Sequence, residues 1–99
     1  MFLVRDIMYC KPGQARPMVE KFKKLSKVLQ QMGIGQMRVM TDLTAERYWT
    51  VVAETEVADL ADYTKQSRQA SDAKETREIM QGYHDIVESG RREIYVIEQ

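Results

Sequence analysis

The stretch FLVRDIMYC (2–10), closed by Lys11-Pro12-Gly13, decides the fold. Residues rich in β-branched, aromatic and other apolar side chains, stopped by a proline and a glycine, predict a strand that ends in a turn. The strand is apolar at both parities, with Phe2, Val4 and Met8 alternating with Leu3, Ile7 and Tyr9. Successive side chains point to opposite faces of a sheet, so each face of this strand has something to cover.

Working outward, Met18, Phe22, Leu25, Leu29 and Met32 recur at helical spacing from about Arg16 to Met32, with Pro17 acceptable only in the first turn and Gly33 and Gly35 closing the helix. The segments IGQMRVMT (34–41) and RYWTVVAE (47–54) read as two strands joined by the polar stretch Asp42 to Glu46, which suits a hairpin. A short helix is expected around Val57 to Thr64. The following KQSRQASDAKETRE (65–78) has only alanines as apolar content and is expected to be solvent-exposed or mobile. Asp72 and Glu75 have capping-box spacing, and Ile79, Met80, Tyr83, Ile86 and Val87 then predict one face of a helix that Gly90 ends. Arg91 to Glu98 is the last strand. The order β-α-β-β-α-β is ferredoxin-like: an α+β domain with a four-stranded antiparallel sheet, two helices on one face, and strands one and three in the centre. One domain over 1–99 is expected.

Ninety-nine residues bury a modest share of their surface, so association helps stability. A content of 43% hydrophobic and 30% charged residues fits a globule and excludes a disordered chain. Residues 1–40 hold eight Lys/Arg against Asp6 and Glu20, and the remainder seven against thirteen acids, giving halves of +6 and −6 with no concentrated basic domain. That excludes nucleic acid as an expected partner. The opening apolar run is broken by Arg5 and Asp6 and lacks a small-residue cleavage site, so it reads as a strand and not a signal peptide. No membrane partner is expected. The lone Cys10 permits no intrachain disulfide, which makes the cytoplasm the default compartment.

Helices on one sheet face leave the other open to water, and that face should read polar in a monomer. Here Trp49, Val51 and Ala53 oppose Tyr48 and Val52, and Tyr95 and Ile97 oppose Ile94 and Val96, as on the first strand. A second copy is the simplest cover, predicting a two-fold, face-to-face homodimer.

Three segments, VRDIMYCKPGQARPMVEKFKK (4–24), YWTVVAETEV (48–57) and MQGYHDIVESGRREIYVIE (80–98), together resemble the dimeric α/β-barrel superfamily, near its antibiotic-biosynthesis monooxygenase-like and NIPSNAP-like members. The resemblance implies a barrel of two facing sheets with a small cavity in each protomer between sheet and helices. Members of the superfamily oxidise polycyclic aromatic substrates without a bound cofactor, degrade haem, or handle small lactones or peroxides. The sequence departs from the haem-degrading pattern, with no Asn on strand one and no Trp on the second helix to accompany its histidine.

Among residues able to carry chemistry, His84 is the only histidine and is placed at the edge of the apolar stripe of the 79–89 helix, as a general base or a haem ligand, or as a boundary residue bonded to backbone or to Glu88. Arg5 and Asp6 are charges on a central strand and must point to opposite faces, to bind a polar group or to pair with Arg92, Glu93 or another charge. Trp49, Tyr63, Tyr83 and Met80 are candidates for a ligand pocket, with core packing as the alternative. Lys21, Lys23, Lys24 and Lys27 read as a solvated outer face of helix one. One His and one Cys offer no metal-ligand spacing, and no cofactor motif is present. The expected function is binding of a small apolar or aromatic molecule, with cofactor-independent monooxygenase-like activity as its enzymatic form. The alternative is a non-enzymatic interaction module whose barrel serves dimerisation.

Overall fold

The computed structural model describes residues 1–99, in the order β1 (Phe2–Cys10), α1 (Ala15–Gln31), β2 (Met37–Thr41), β3 (Thr50–Val57), α2 (Leu60–Asp72), α3 (Lys74–Met80) and β4 (Val87–Val96). The four strands form one antiparallel sheet in the order β2-β3-β1-β4, with β1 and β3 in the centre as the sequence predicts. The helices lie on one face, and the molecule is a slab 17 Å thin. That is one sheet plus one helix layer, without a third layer on the remaining face.

Helix α1 buries Met18, Val19, Phe22, Val28 and Leu29. It ends in a glycine-capped turn: Gly33 sits at φ 76°, and the amide of Ile34 donates to the carbonyl of Leu29 at 3.0 Å. The main core joins Cys10, Met18, Val19, Phe22, Val51, Ala53 and Ile86, so α1 packs on the middle of β1 and β3.

Strand β2 starts at Met37 and not at Ile34, and the structure differs from the sequence reading at four further places. Strand β3 starts at Thr50 and runs to Val57, because Trp49 at φ 60° belongs to the turn and Val57 pairs with Phe2. Residues 65–78 are helical almost throughout: α2 runs to Asp72, capped at its start by the Asp59 side chain accepting from the Asp62 amide, and α3 begins at Lys74. Alanine and long polar side chains are good helix formers, so this stretch needs no apolar stripe to be helical. The Asp72–Glu75 capping box does not form, since Ala73 takes the cap position in extended backbone. Finally, there is no 79–89 helix. Gly82 at φ 81° breaks it, Tyr83–Asp85 form one 3-10 turn, and β4 starts at Val87.

Gly90 consequently lies inside β4, not at a helix end. A Cβ there would come within 2.9 Å of the Met8 sulfur and 3.0 Å of the Ile7 carbonyl oxygen, so the close approach of β4 to β1 requires glycine. One residue earlier the register shifts between Tyr9 and Cys10, which pair with Ser89 and Val87. The bulge turns Val87 back toward the core.

Candidate functional site

Strand alternation sends Val4, Asp6, Met8 and Cys10 toward the helices and Leu3, Arg5, Ile7 and Tyr9 away from them. Arg5 and Asp6 therefore part to opposite faces, each into an ion pair dictated by register. On the helix side, Asp6 lies opposite Arg92 and accepts from its Nε at 2.6 Å and its Nη2 at 3.2 Å. On the open side, Arg5 donates from Nε to Glu54 at 2.6 Å and lies 3.7 Å from Glu93.

The Asp6–Arg92 pair borders a cleft of about 440 Å³ between the sheet and the helices. Phe22, Leu25 and Leu29 of α1, with Met8 and Met37 of the sheet, make its apolar wall. Helices α2 and α3 close the other side with Tyr63, Ala70, Thr76 and Met80, and Tyr83 follows from the 3-10 turn. The Thr76 residue is 7% exposed and its hydroxyl has no hydrogen-bond partner. Burial pushes the Tyr63 phenol above its ordinary value, so it stays protonated at neutral pH, with the Arg92 guanidinium 5.9 Å from its ring centre.

Helix α3 is held over this cleft by Lys21, whose Nζ donates to the carbonyls of Ile79 at 3.0 Å and Gln81 at 2.7 Å. Lys21 thus leaves the solvated lysine group expected for α1 and satisfies carbonyls at the end of α3.

Of the residues singled out in the sequence, Asp6, Tyr63, Tyr83 and Met80 meet in the cleft. Trp49 does not; it stands 43% exposed at the turn before β3. His84 is exposed on the 3-10 turn and stacks on Tyr83, with ring centres 4.0 Å apart. Its imidazole makes no hydrogen bond to backbone or to Glu88. Arg5 lies on the far face. Cys10 is buried, and burial pushes its thiol up, away from the reactive thiolate. No group of three or more His, Cys, Asp or Glu side chains gathers in metal-binding geometry. Thr76 and Arg77 escaped sequence reasoning, because nothing in the polar 65–78 stretch marks one turn as buried.

The open face carries a feature the alternation analysis missed. Arg38, Glu54, Arg5 and Glu93 stand at one register across β2, β3, β1 and β4, an alternating row of charge spanning the sheet. Glu54 is its anchor at 7% exposure, with Arg38 on one oxygen at 2.8 Å and Arg5 on the other at 2.6 Å. Burial alone would push the Glu54 carboxyl up, but the hydrogen bonds from Arg38 and Arg5 outweigh it and hold the group below its ordinary value. A carboxyl of lowered folded pKa contributes stability in full above its unfolded value, and loses it as pH falls through the folded one. Stability is therefore expected to drop below about pH 4.3, the ordinary glutamate value. Glu54→Gln should flatten that acid limb in urea titrations, and an unchanged limb would assign it to other carboxylates.

No family model matches the sequence, and no curated protein matches it. Among solved structures, an uncharacterized NIPSNAP-like domain protein from Burkholderia xenovorans superposes with a TM-score of 0.82 at 15% identity, covering 99% of this chain and 85% of that one. This chain has the ferredoxin-like fold. A NIPSNAP family protein from Agrobacterium tumefaciens aligns at TM-score 0.80 and 11% identity over 96% of this chain and 90% of that one. An antibiotic biosynthesis monooxygenase aligns at TM-score 0.72 and 11% identity over the whole of both chains. At these identities the likeness carries the ferredoxin-like fold, as the resemblance in the sequence implied. In this chain the second helix of the ferredoxin-like order is divided into α2 and α3, and that division places Thr76 and Met80 over the cleft.

Proposed function

We propose that the chain binds a small, largely apolar or aromatic molecule in the cleft between sheet and helices, as a homodimer joined through the open sheet face. The apolar walls around the Asp6–Arg92 pair and the Tyr63 phenol carry this reading, since they offer cover to an apolar body and partners to a polar end. The cleft lies within the usual volume range of ligand pockets. A monooxygenase-like reaction is the enzymatic form of the proposal. Its support is the likeness to the antibiotic biosynthesis monooxygenase, together with Asp6, Tyr63 and Arg92 as the ionisable groups at the apolar wall. Of the candidate catalytic residues His84, Arg5 and Asp6, only Asp6 faces the bound molecule in this reading.

The dimer is supported by the two-layer slab and by Leu3, Ile7, Tyr9, Met40, Val52 and Tyr95, which flank the charge row on the open face. A second copy would complete a barrel and remove that face from water. The buried single cysteine suits a reducing compartment such as the cytoplasm. A non-enzymatic interaction module is the second reading. It draws support from the β2–β3 turn, where Leu43 is 98% and Tyr48 86% exposed.

Thermal unfolding discriminates the two, because a ligand that binds only the native state raises the apparent stability. Small aromatic and aliphatic compounds at a hundred times their Kd should stabilise the protein by about 2.7 kcal/mol. A shift produced by a protein partner alone would favour the module.

A further inference from the structure

We propose that the occupant of the cleft is a monocarboxylate with an apolar body, its carboxylate meeting Arg77 and Arg92. The inference rests on the binding reading above and adds the ligand's charge.

The fully charged side chains bordering the cleft are Asp6 from β1, Arg92 from β4 and Arg77 from α3; helix α1 contributes none, α2 adds the polar Tyr63, Ser67 and Ser71, and the 3-10 turn adds Tyr83. Two cations and one anion leave a net charge of +1 at neutral pH. The Asp6 carboxylate is engaged by the Nε and Nη2 of Arg92, which leaves the other guanidinium hydrogens of Arg92 free to donate. The Arg77 side chain makes no ion pair and no hydrogen bond, and it neighbours Thr76 on α3. Charged donors thus outnumber charged acceptors at the cleft.

Ligand classes separate on that inventory. An ammonium ligand would bring a second uncompensated positive charge into a site with low-dielectric walls. A phosphate monoester, at about −1.5 to −2 near neutral pH, overshoots the single charge to be balanced. A neutral phenol or alcohol leaves the net charge as it is. One carboxylate neutralises the site and accepts several hydrogen bonds from the two guanidinium groups. Phe22, Leu25, Leu29 and the methionines receive the apolar body.

The test is calorimetric titration of the full chain with decanoate, decanol and decylamine, and with naphthoate and naphthol as aromatic counterparts. The acid of a matched pair should bind about tenfold or more tightly than the alcohol, the yield of a charge-assisted hydrogen bond. Arg77→Gln, a change at an exposed and unpaired side chain, should shrink that ratio toward one while leaving the alcohol within about twofold. Equal binding of acid and alcohol, or tightest binding of the amine, would overturn the charge inference while the binding reading stands. Failure of every compound to bind would overturn both. Tighter binding of naphthoate than of decanoate supports an aromatic body, and the reverse an aliphatic one.

Discussion

Val52→Lys is expected to leave a folded monomer where the native chain sizes as a dimer. Val52 lies in the middle of the open face, paired across the sheet with Ile7 on β1 and with Met40 on β2. In a free protomer a lysine there reaches water, so the fold itself should lose less than about 1 kcal/mol. Beneath a second copy, the ammonium would be desolvated beside apolar neighbours. The nearest carboxylate, Glu54, already has an arginine on each oxygen and has little to offer a third cation. An unpaired charge covered in this way costs several kcal/mol, and about 4 kcal/mol weakens association roughly a thousandfold. Light scattering at micromolar concentration checks it. A native chain that itself sizes at 11.6 kDa would sink the dimer outright.

Phe22→Ala is expected to produce the largest loss of stability, about 3–5 kcal/mol. The side chain is 3% exposed, belongs to the central core cluster, and also forms part of the cleft wall. Truncation forfeits its transfer energy and opens a void that runs into the existing cleft. With a total of about 5–15 kcal/mol in an ordinary domain, the variant retains little margin. Urea titration should show a lower midpoint with the slope preserved. Leu43→Ser is the control: that side chain is 98% exposed, and the change should stay within about 0.5 kcal/mol. A Phe22→Ala loss below about 1 kcal/mol would mean that the core lies elsewhere.

The parts of this fold legible in the sequence are those where one local signal dominates. β1 and α1 read to within a residue because a proline–glycine turn and a pair of glycines bound their apolar patterns. The start of β3 did not, because Tyr48 and Trp49 have the composition of a strand while the backbone at Trp49 is a turn. Ile79, Met80, Tyr83, Ile86 and Val87 mimic a helical stripe, yet a short helix, a 3-10 turn and a bulged strand share those five residues. Gly82 was the available signal. In the site, the opposed directions of Arg5 and Asp6 followed from alternation alone, whereas Thr76 became visible only once α3 was seen to fold back over the sheet.

The row Arg38–Glu54–Arg5–Glu93 also bears on how the sheet avoids mistakes. A two-residue slip of a strand keeps every side chain on its proper face, so the hydrophobic pattern cannot detect it. Shifting β4 by two residues one way, however, sets Arg91 opposite Arg5 and leaves Asp6 facing Gly90; shifting it the other way offers Tyr95 and Ile94 in their place. Like charges placed directly across a sheet are destabilising. The polar row therefore works as a parity check on strand alignment, rejecting pairings that greasy side chains would accept.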